Sequence, residues 1–146
     1  MPELNSTNQV REWLNSCPAI SKANRFRIDY LAENATEYAL YSVPSPLVYK
    51  ENVLGEYVLN DDQTLNFIFA SREAYGADIQ QNLENLAFYE EVIAWIIEQN
   101  NLHSFPLISE GRVRSIVPTL TPFVVDGGTD AARYQIQIRM TYRLIK

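Results

Sequence analysis

The chain has few of the residues from which common catalytic and metal sites are built. Its 146 residues include one cysteine, one histidine and five glycines. A single cysteine cannot form an internal disulfide bond, which is typical of a protein from a reducing compartment. One histidine and one cysteine also cannot supply a zinc site of the usual Cys/His type. Neither a Walker A loop nor a G-x-G-x-x-G motif occurs, so no nucleotide-binding glycine loop is predicted.

Long hydrophobic runs are absent as well. No stretch approaches the roughly 18 consecutive apolar residues of a membrane-spanning helix, and the first residues, MPELNSTNQV, lack the pattern of a signal peptide. Hydrophobic residues make up 47% of the chain and charged residues 21%, a balance that predicts a folded globular domain. We expect a single domain over residues 1–146 and no membrane partner.

Negative charge predominates but is unevenly distributed. The formal net charge is −6, which argues against general nucleic-acid binding by the monomer, and we expect no specific nucleic-acid binding. Residues 112–146 nevertheless contain six Arg and Lys against two Asp, a local charge of +4, so the rest of the chain carries −10. One interpretation is ordinary scattered surface charge. The other is head-to-tail contact between copies, in which unlike surfaces meet.

The apolar pattern predicts an α+β fold with the element order α-β-β-β-β-α-β-β. The first helix begins at a capping box formed by Ser6 and Gln9 and ends before Pro18. Its apolar face comprises Val10, Trp13, Leu14 and Cys17. The next two strands are FRIDYLA and EYALYSV, separated by a polar turn near 33–36. After a loop at 44–55, a hairpin through 60–63 joins the strands EYVL and LNFIFA.

A second helix is predicted over residues 77–101. Its apolar stripe comprises Ile79, Leu83, Leu86, Ile93 and Ile97, widened by Tyr89 and Ile96. The chain then ends in two long strands, RVRSIVPTLTPFVVD and ARYQIQIRMTYRLIK, joined by a turn at 126–128. Pro118 and Pro122 predict that the first of these is an edge or bulged strand. We expect a strongly twisted antiparallel sheet packed on both helices.

Three positions are candidates for chemistry, and each has a simpler interpretation. His103 follows the second helix, where a histidine at a helix C-terminus needs no catalytic role. Asp61 and Asp62 could bind a metal ion, but the other ligands of a calcium loop are missing and a solvated turn explains them. Glu90 is either a carboxylate at the edge of the stripe, one paired with a sheet arginine, or a catalytic group without a second member. We therefore predict no enzyme activity, no catalytic residue, no metal site and no cofactor.

Two surfaces are candidates for contact with protein partners. Acidic and aromatic residues recur at seven-residue spacing on the side of the second helix opposite the stripe, namely Glu84, Glu91 and Glu98 with Phe88 and Trp95. The alternative is that a loop, such as 44–55, covers the aromatic rings. The other surface is the polar face of the C-terminal strands, which comprises Arg112, Arg114, Arg133, Gln135, Gln137, Arg139 and Arg143.

The segment GRVRSIVPTLTPFVVDGGTDAARYQIQIRMTYR, and above all RYQIQIRMTYR, resembles small minor capsid or tail proteins encoded in prophages of Gram-positive bacteria. The predicted element order over most of the chain is similar to that of tail terminator proteins of long-tailed phages. The resemblance implies a hexameric ring of copies that caps the tail tube and joins it to the head. The implied partners are tail tube and head–tail connector proteins, in the host cytoplasm during assembly and later in the virion.

Other functions remain open from the residues alone. Another neck or minor capsid component would share the same class. A small enzyme or ligand-binding domain could use a pocket between helix and sheet around Glu90. A host interaction module, such as an immunity or adaptor protein, could bind a basic partner through its acidic helix.

Overall fold

A computed structural model of the chain describes residues 5–20, 25–28, 37–74, 79–109, 111–127 and 131–144. It has two helices, α1 (Asn5–Leu14) and α2 (Ile79–Asn101). Between them lie β1 (Arg25–Ile28), β2 (Glu37–Val43), β3 (Tyr49–Glu51), β4 (Tyr57–Leu59) and β5 (Asp62–Ala74). After α2 come β6 (Gly111–Pro118), β7 (Phe123–Gly127) and β8 (Ala131–Leu144). The predicted α+β class is confirmed. Neither described helix combines the length and the apolar character needed to span a bilayer.

One main sheet holds six of these strands. Its order is β1-β2-β5-β8-β6, and β7 pairs with β8 next to β6. The pairings are antiparallel except for β1–β2, which is parallel. A parallel pair cannot be closed by a tight turn, and the predicted turn near 33–36 lies outside the described residues. The last strand, β8, therefore lies in the middle of the sheet, and β6 and β7 share one edge.

Two predictions about strands need correction. The hairpin between EYVL and LNFIFA is wrong, because β4 pairs with β3 in a separate two-stranded sheet while β5 joins the main sheet. The long strand predicted before the final turn is divided into β6 and β7, since Pro118 and Pro122 cannot donate ladder hydrogen bonds. The prediction of a bulged edge strand is confirmed by a register shift between Val113 and Ser115.

The core lies between the helices and one face of the main sheet. The alternation predicted for β8 is confirmed, because its core-facing side chains are buried: Tyr134, Ile136, Ile138, Met140 and Tyr142. Phe67 and Phe69 of β5 lie beside them. Val10 and Leu14 of α1 are buried as predicted, and so is Cys17, which follows the end of α1. The Gln9 side chain does not close the predicted capping box, because it exchanges hydrogen bonds with Ser109 at 3.0 and 3.3 Å.

The buried face of α2 differs from the predicted stripe. Its most buried side chains are Asn85, Tyr89, Val92 and Ile96, whereas Leu83 and Ile97 are 55% and 44% exposed. The Tyr89 hydroxyl donates to the carbonyl of Tyr134 at 2.9 Å, so the Ser71 hydroxyl, 2.6 Å away, donates to Tyr89. These partners make burial of a polar face favourable. Counting apolar residues along the helix selects the neighbouring, more aliphatic face instead.

Candidate assembly surfaces

A two-stranded arm extends from the main sheet. We define the arm as residues 47–59, which comprise β3, β4 and the turn between them. In the turn, the Asn52 side-chain oxygen accepts hydrogen bonds from the N–H groups of Leu54 at 2.9 Å and Glu56 at 3.0 Å. Gly55 has a φ of +81°, which glycine adopts without a steric penalty. The turn is therefore closed by its own hydrogen bonds rather than by packing on the core.

The polar segment 60–63 forms the root of the arm. The buried Gln63 amide accepts a hydrogen bond from the Val48 N–H at 3.2 Å and donates to the Val48 and Asn60 carbonyls at 2.8 and 2.9 Å. The Asp61 carboxylate lies 3.2 Å from Lys50 and 3.5 Å from Arg143. The negative charge of Asp61 is therefore balanced by two ion pairs within the chain.

The surface of the arm is strongly apolar. Its exposed large hydrophobic residues are Leu47, Val48, Tyr49, Val53, Leu54, Tyr57, Val58 and Leu59. Val53 and Leu54, at the turn, are 102% and 80% exposed. A two-stranded ribbon on its own is only marginally stable in water, and contiguous exposed apolar patches mark interaction sites. The arm is therefore the strongest candidate for a partner surface in the described structure.

The first strand of the arm and its pairing with EYVL were not predicted, although the sequence contains a signal for both. Pro44 and Pro46 favoured a single loop over 44–55. Strand-forming residues nevertheless flank the segment Asn52–Gly55 on both sides, in LVYKE and EYVL. Short strands on either side of an Asn-x-x-Gly turn are typical of a hairpin with a four-residue loop.

An apolar groove with basic residues lies beside the start of β6. Its volume is about 950 Å³, and it is formed by residues 103–108, the first residues of β6 and the end of β8. We call it the arginine groove, because Arg112, Arg114 and Arg143 line it, and no carboxylate is among its described lining residues. Leu107, 87% exposed, lies in its apolar part. The groove thus combines an apolar floor with positive charge.

The end of α2 shapes one wall of the arginine groove. The His103 N–H donates to the Asn100 carbonyl at 3.1 Å, and the Ser104 N–H donates to the Gln99 carbonyl at 2.9 Å. His103 has a φ of 57°, so the helix ends in a Schellman motif with histidine at the left-handed position. The His103 ring packs edge-on against Phe105, with 5.7 Å between centroids. This geometry gives His103 a structural role.

Gly111 forms the opposite wall, where β6 lies close to β8. Gly111 pairs with Leu144 in the sheet, and a Cβ atom at position 111 would collide with the backbone carbonyl of Arg143. Glycine is therefore required for this approach of the two backbones. The arginine groove depends on this pairing, because it brings Arg112 next to Arg143.

The polar face of β8 lies on the outer sheet face, the side of the main sheet turned away from the helices. Arg139 and Arg143 are exposed there, and Gln135 and Gln137 are half-buried. Arg133 is also half-buried, with its guanidinium carbon 4.7 Å from the centre of the Tyr41 ring. This cation–π contact occupies Arg133 within its own chain. Exposed Arg112 and Arg114 lie on the neighbouring strand β6.

The predicted acidic and aromatic surface of α2 is only partly correct. Glu84 and Glu91 are exposed on α2. Phe88 and Trp95 do not lie on an exposed patch, because both pack against the core. Their ring centroids lie 5.3 Å from Tyr38 and 4.8 Å from Trp13, respectively. Strand β2 and helix α1 thus contact these rings, in place of the predicted loop.

Glu90 is exposed at a second, smaller groove between α2 and the β6–β7 connection. This groove has a volume of about 450 Å³ and is lined by Leu86, Glu90, Ile93, Ala94, Ile97, Thr121 and Pro122. Its described lining residues include no second carboxylate, histidine or cysteine. The lining residues therefore supply a small apolar groove without a pair of groups for acid–base chemistry.

The remaining reactive side chains of the described core have structural surroundings. Burial raises the pKa of the Cys17 thiol above its ordinary value, which disfavours the nucleophilic thiolate. Across the described part of the chain, no three His, Cys, Asp or Glu side chains are grouped to hold a metal ion.

No protein-family model matches the chain, and no curated protein matches it. The surfaces described above, together with the resemblance of the C-terminal segment, are therefore the basis for a functional proposal.

Proposed function

We propose that the chain is a structural virion assembly protein: a phage tail terminator that caps the tail tube as a ring of copies and joins the tube to the head. The observation that carries this proposal is the arm, which exposes eight large hydrophobic residues. Such a surface is unfavourable for a protein that remains alone in water. It becomes favourable when neighbouring subunits cover it.

The distribution of charge supports assembly from unlike surfaces. The carboxylates of Glu84 and Glu91 are exposed on α2, whereas Arg139 and Arg143 are exposed on the outer sheet face. The two groups lie on opposite sides of the main sheet, because α2 packs on its core face. Unlike, complementary surfaces favour head-to-tail contacts, which generate a ring when the rotation between subunits closes.

The β6 edge of the main sheet is poorly suited to joining copies by sheet extension. β6 carries a bulge between Val113 and Ser115 and ends at Pro118. Bulges and prolines at an edge oppose pairing with another strand. We therefore expect subunits to be joined by side-chain contacts of the arm rather than by a sheet that continues from one subunit to the next.

Another neck or minor capsid component is the nearest alternative, and the phenotype of a gene deletion separates the two. In a phage-producing host, a strain without the gene should make overlong or headless tails, visible by electron microscopy. Tails of normal length that are joined to heads would contradict the terminator role. Normal tails beside unfilled or unjoined heads would favour a head or neck component.

The arm can be tested in the same strain. Val53→Asp combined with Leu54→Asp places charge at two exposed positions of the turn and should leave thermal unfolding nearly unchanged. We expect this variant to fail to restore normal tails. Leu83→Asp, at a 55% exposed position on α2, is the control and should restore them. Full rescue by the arm variant would contradict the proposal.

A ligand-binding domain remains the second candidate function, because the groove beside Glu90 has a volume within the range of small-molecule sites. If this candidate were correct, Ala94→Trp, which fills the groove, would abolish function. The structural proposal predicts instead that Ala94→Trp still restores tail assembly.

A further inference from the structure

The turn of the arm and the arginine groove are complementary in charge and polarity. The tip, which we define as residues 51–56, places exposed Val53 and Leu54 between Glu51 and Glu56 and contains no cation. The described lining of the arginine groove comprises apolar residues and three arginines, without a carboxylate. An apolar, acidic tip therefore matches an apolar, basic groove.

We propose that the tip of one copy docks in the arginine groove of the next copy. Val53 and Leu54 would contact the apolar floor at Leu107, and Glu51 and Glu56 would approach Arg112 and Arg114. This inference rests on the proposed function and names the contact that joins its subunits. Among the described residues neither Arg112 nor Arg114 forms an ion pair, so both can meet carboxylates of a neighbour.

The position of the arm favours a neighbour's groove over its own. The Leu144 N–H donates to the Asp61 carbonyl at 2.8 Å, and Leu144 pairs with Gly111, so the root lies beside the groove of the same chain. About six residues separate root and tip, or about 20 Å at the rise of a β-strand. Val53 is fully exposed within the single chain. A second copy is thus needed to cover the tip.

This contact joins two different surfaces, so a pair of copies still has one free tip, on one copy, and one free groove, on the other. Repetition of such a heterologous contact closes into a ring or continues as a filament. The smaller groove is a poorer receptor for the tip, because Glu90, the charged residue in its described lining, would repel Glu51 and Glu56.

A disulfide trap between separate chains tests the contact even when association is weak. Purified Val53→Cys and Leu107→Cys chains, tagged to differ in mass, are mixed under mild oxidation. We expect mixed disulfide dimers to form about tenfold faster than either variant pairs with itself, because docking raises the effective concentration. Buried Cys17 does not compete. Val53→Cys with Leu83→Cys, a cysteine on exposed α2 surface outside the groove, should react only at the self-pairing rate.

Charge reversal in the same trap tests which groups meet. Arg114→Glu in the groove chain, or Glu56→Arg in the tip chain, should slow mixed-dimer formation several-fold. Together the two changes should restore most of the rate, since the pair is then reversed. Arg139→Glu is the matched control, because Arg139 is exposed but does not line the arginine groove. Its rate should equal that of the unaltered chain.

Two results would overturn this inference. One is a Val53→Cys chain that reacts no faster with Leu107→Cys than with itself. The other is a rate that falls with Arg139→Glu but not with Arg114→Glu, which would place the neighbour on the outer sheet face. If either result is found and the deletion strain makes overlong tails, the tip-to-groove contact is refuted but the terminator role is not. If the disulfide trap is selective but the deletion strain makes normal tails, the terminator role is refuted but the contact is not.

Discussion

Ile96 and Ile97 are adjacent in α2 and together test how this helix faces the sheet. One residue corresponds to a rotation of about 100° around a helix. The two isoleucines therefore lie in different surroundings: Ile96 is 0% exposed and Ile97 is 44% exposed. Replacing either by alanine removes the same atoms and changes helix propensity equally. The difference between the two variants thus reports burial.

The expected losses of stability differ by several-fold. Ile96→Ala removes a side chain whose full burial contributes about 1.5–3 kcal/mol and leaves a cavity between α2 and the sheet. The free energy of unfolding should therefore fall by about 2–5 kcal/mol. Ile97→Ala gives up only part of the burial and opens no enclosed cavity, so its loss should be about 1 kcal/mol or less.

Urea denaturation followed by tryptophan fluorescence measures both losses, because Trp13 and Trp95 pack against each other and against the core. The slope of the free energy against urea should be unchanged, so that the midpoints can be compared directly. An equal loss for both variants, or a larger one for Ile97→Ala, would refute the orientation. It would mean that the aliphatic stripe through Leu86 and Ile93 faces the core.

Three further predictions concern the core and the arginine groove. Tyr89→Phe should lower the free energy of unfolding by about 1–3 kcal/mol, because the Ser71 hydroxyl and a β8 carbonyl lose a buried partner. The control is Tyr57→Phe, at a 79% exposed position, which should change the free energy of unfolding by less than about 0.5 kcal/mol. Gly111→Ala should destabilise the chain by about 1–3 kcal/mol in the same assay, because the added Cβ collides with the β8 backbone; an unchanged midpoint would show that the strands can separate there freely. Burial raises the pKa of the Cys17 thiol, so the thiol of the unfolded chain ionises at a lower pH than that of the folded chain. The contribution of Cys17 to the free energy of unfolding is therefore fully present below the ordinary thiol pKa and is lost as the pH rises through the folded pKa. In denaturation curves measured at rising pH, Cys17→Ala should lose less stability at alkaline pH than the unaltered chain. The same dependence of stability on pH in both chains would contradict the raised pKa.

The sequence alone determined the elements whose pattern is long and regular. β8 alternates apolar and polar residues from Tyr134 to Arg143 without a slip, and a strand places alternate side chains on opposite faces, so its core and outer sides follow directly. The apolar face of α1 and the broken edge strand at Pro118 and Pro122 also follow from local rules of helix period and proline geometry.

The site was less accessible to sequence reasoning. Exposed Arg112, Arg114, Arg139, Arg143, Glu84 and Glu91 were correctly selected as surface residues. Phe88 and Trp95 were not, because a helical spacing says that residues share a side but not which side meets the core. The first strand of the arm lies in the predicted loop, since it has three residues and two prolines precede it, and the second strand, predicted as EYVL, has a different partner from the one expected.

Only the tertiary structure decided which side of α2 is buried and where the arginine groove lies. Tyr89 and Asn85 can face the core because Ser71 and Tyr134, distant in sequence, supply hydrogen-bond partners. Arg112 and Arg143 line one groove because the register of β6 on β8 places them side by side. Periodicity is a property of neighbouring residues, whereas polar partners and cross-strand neighbours are brought together by folding, and no local pattern specifies them.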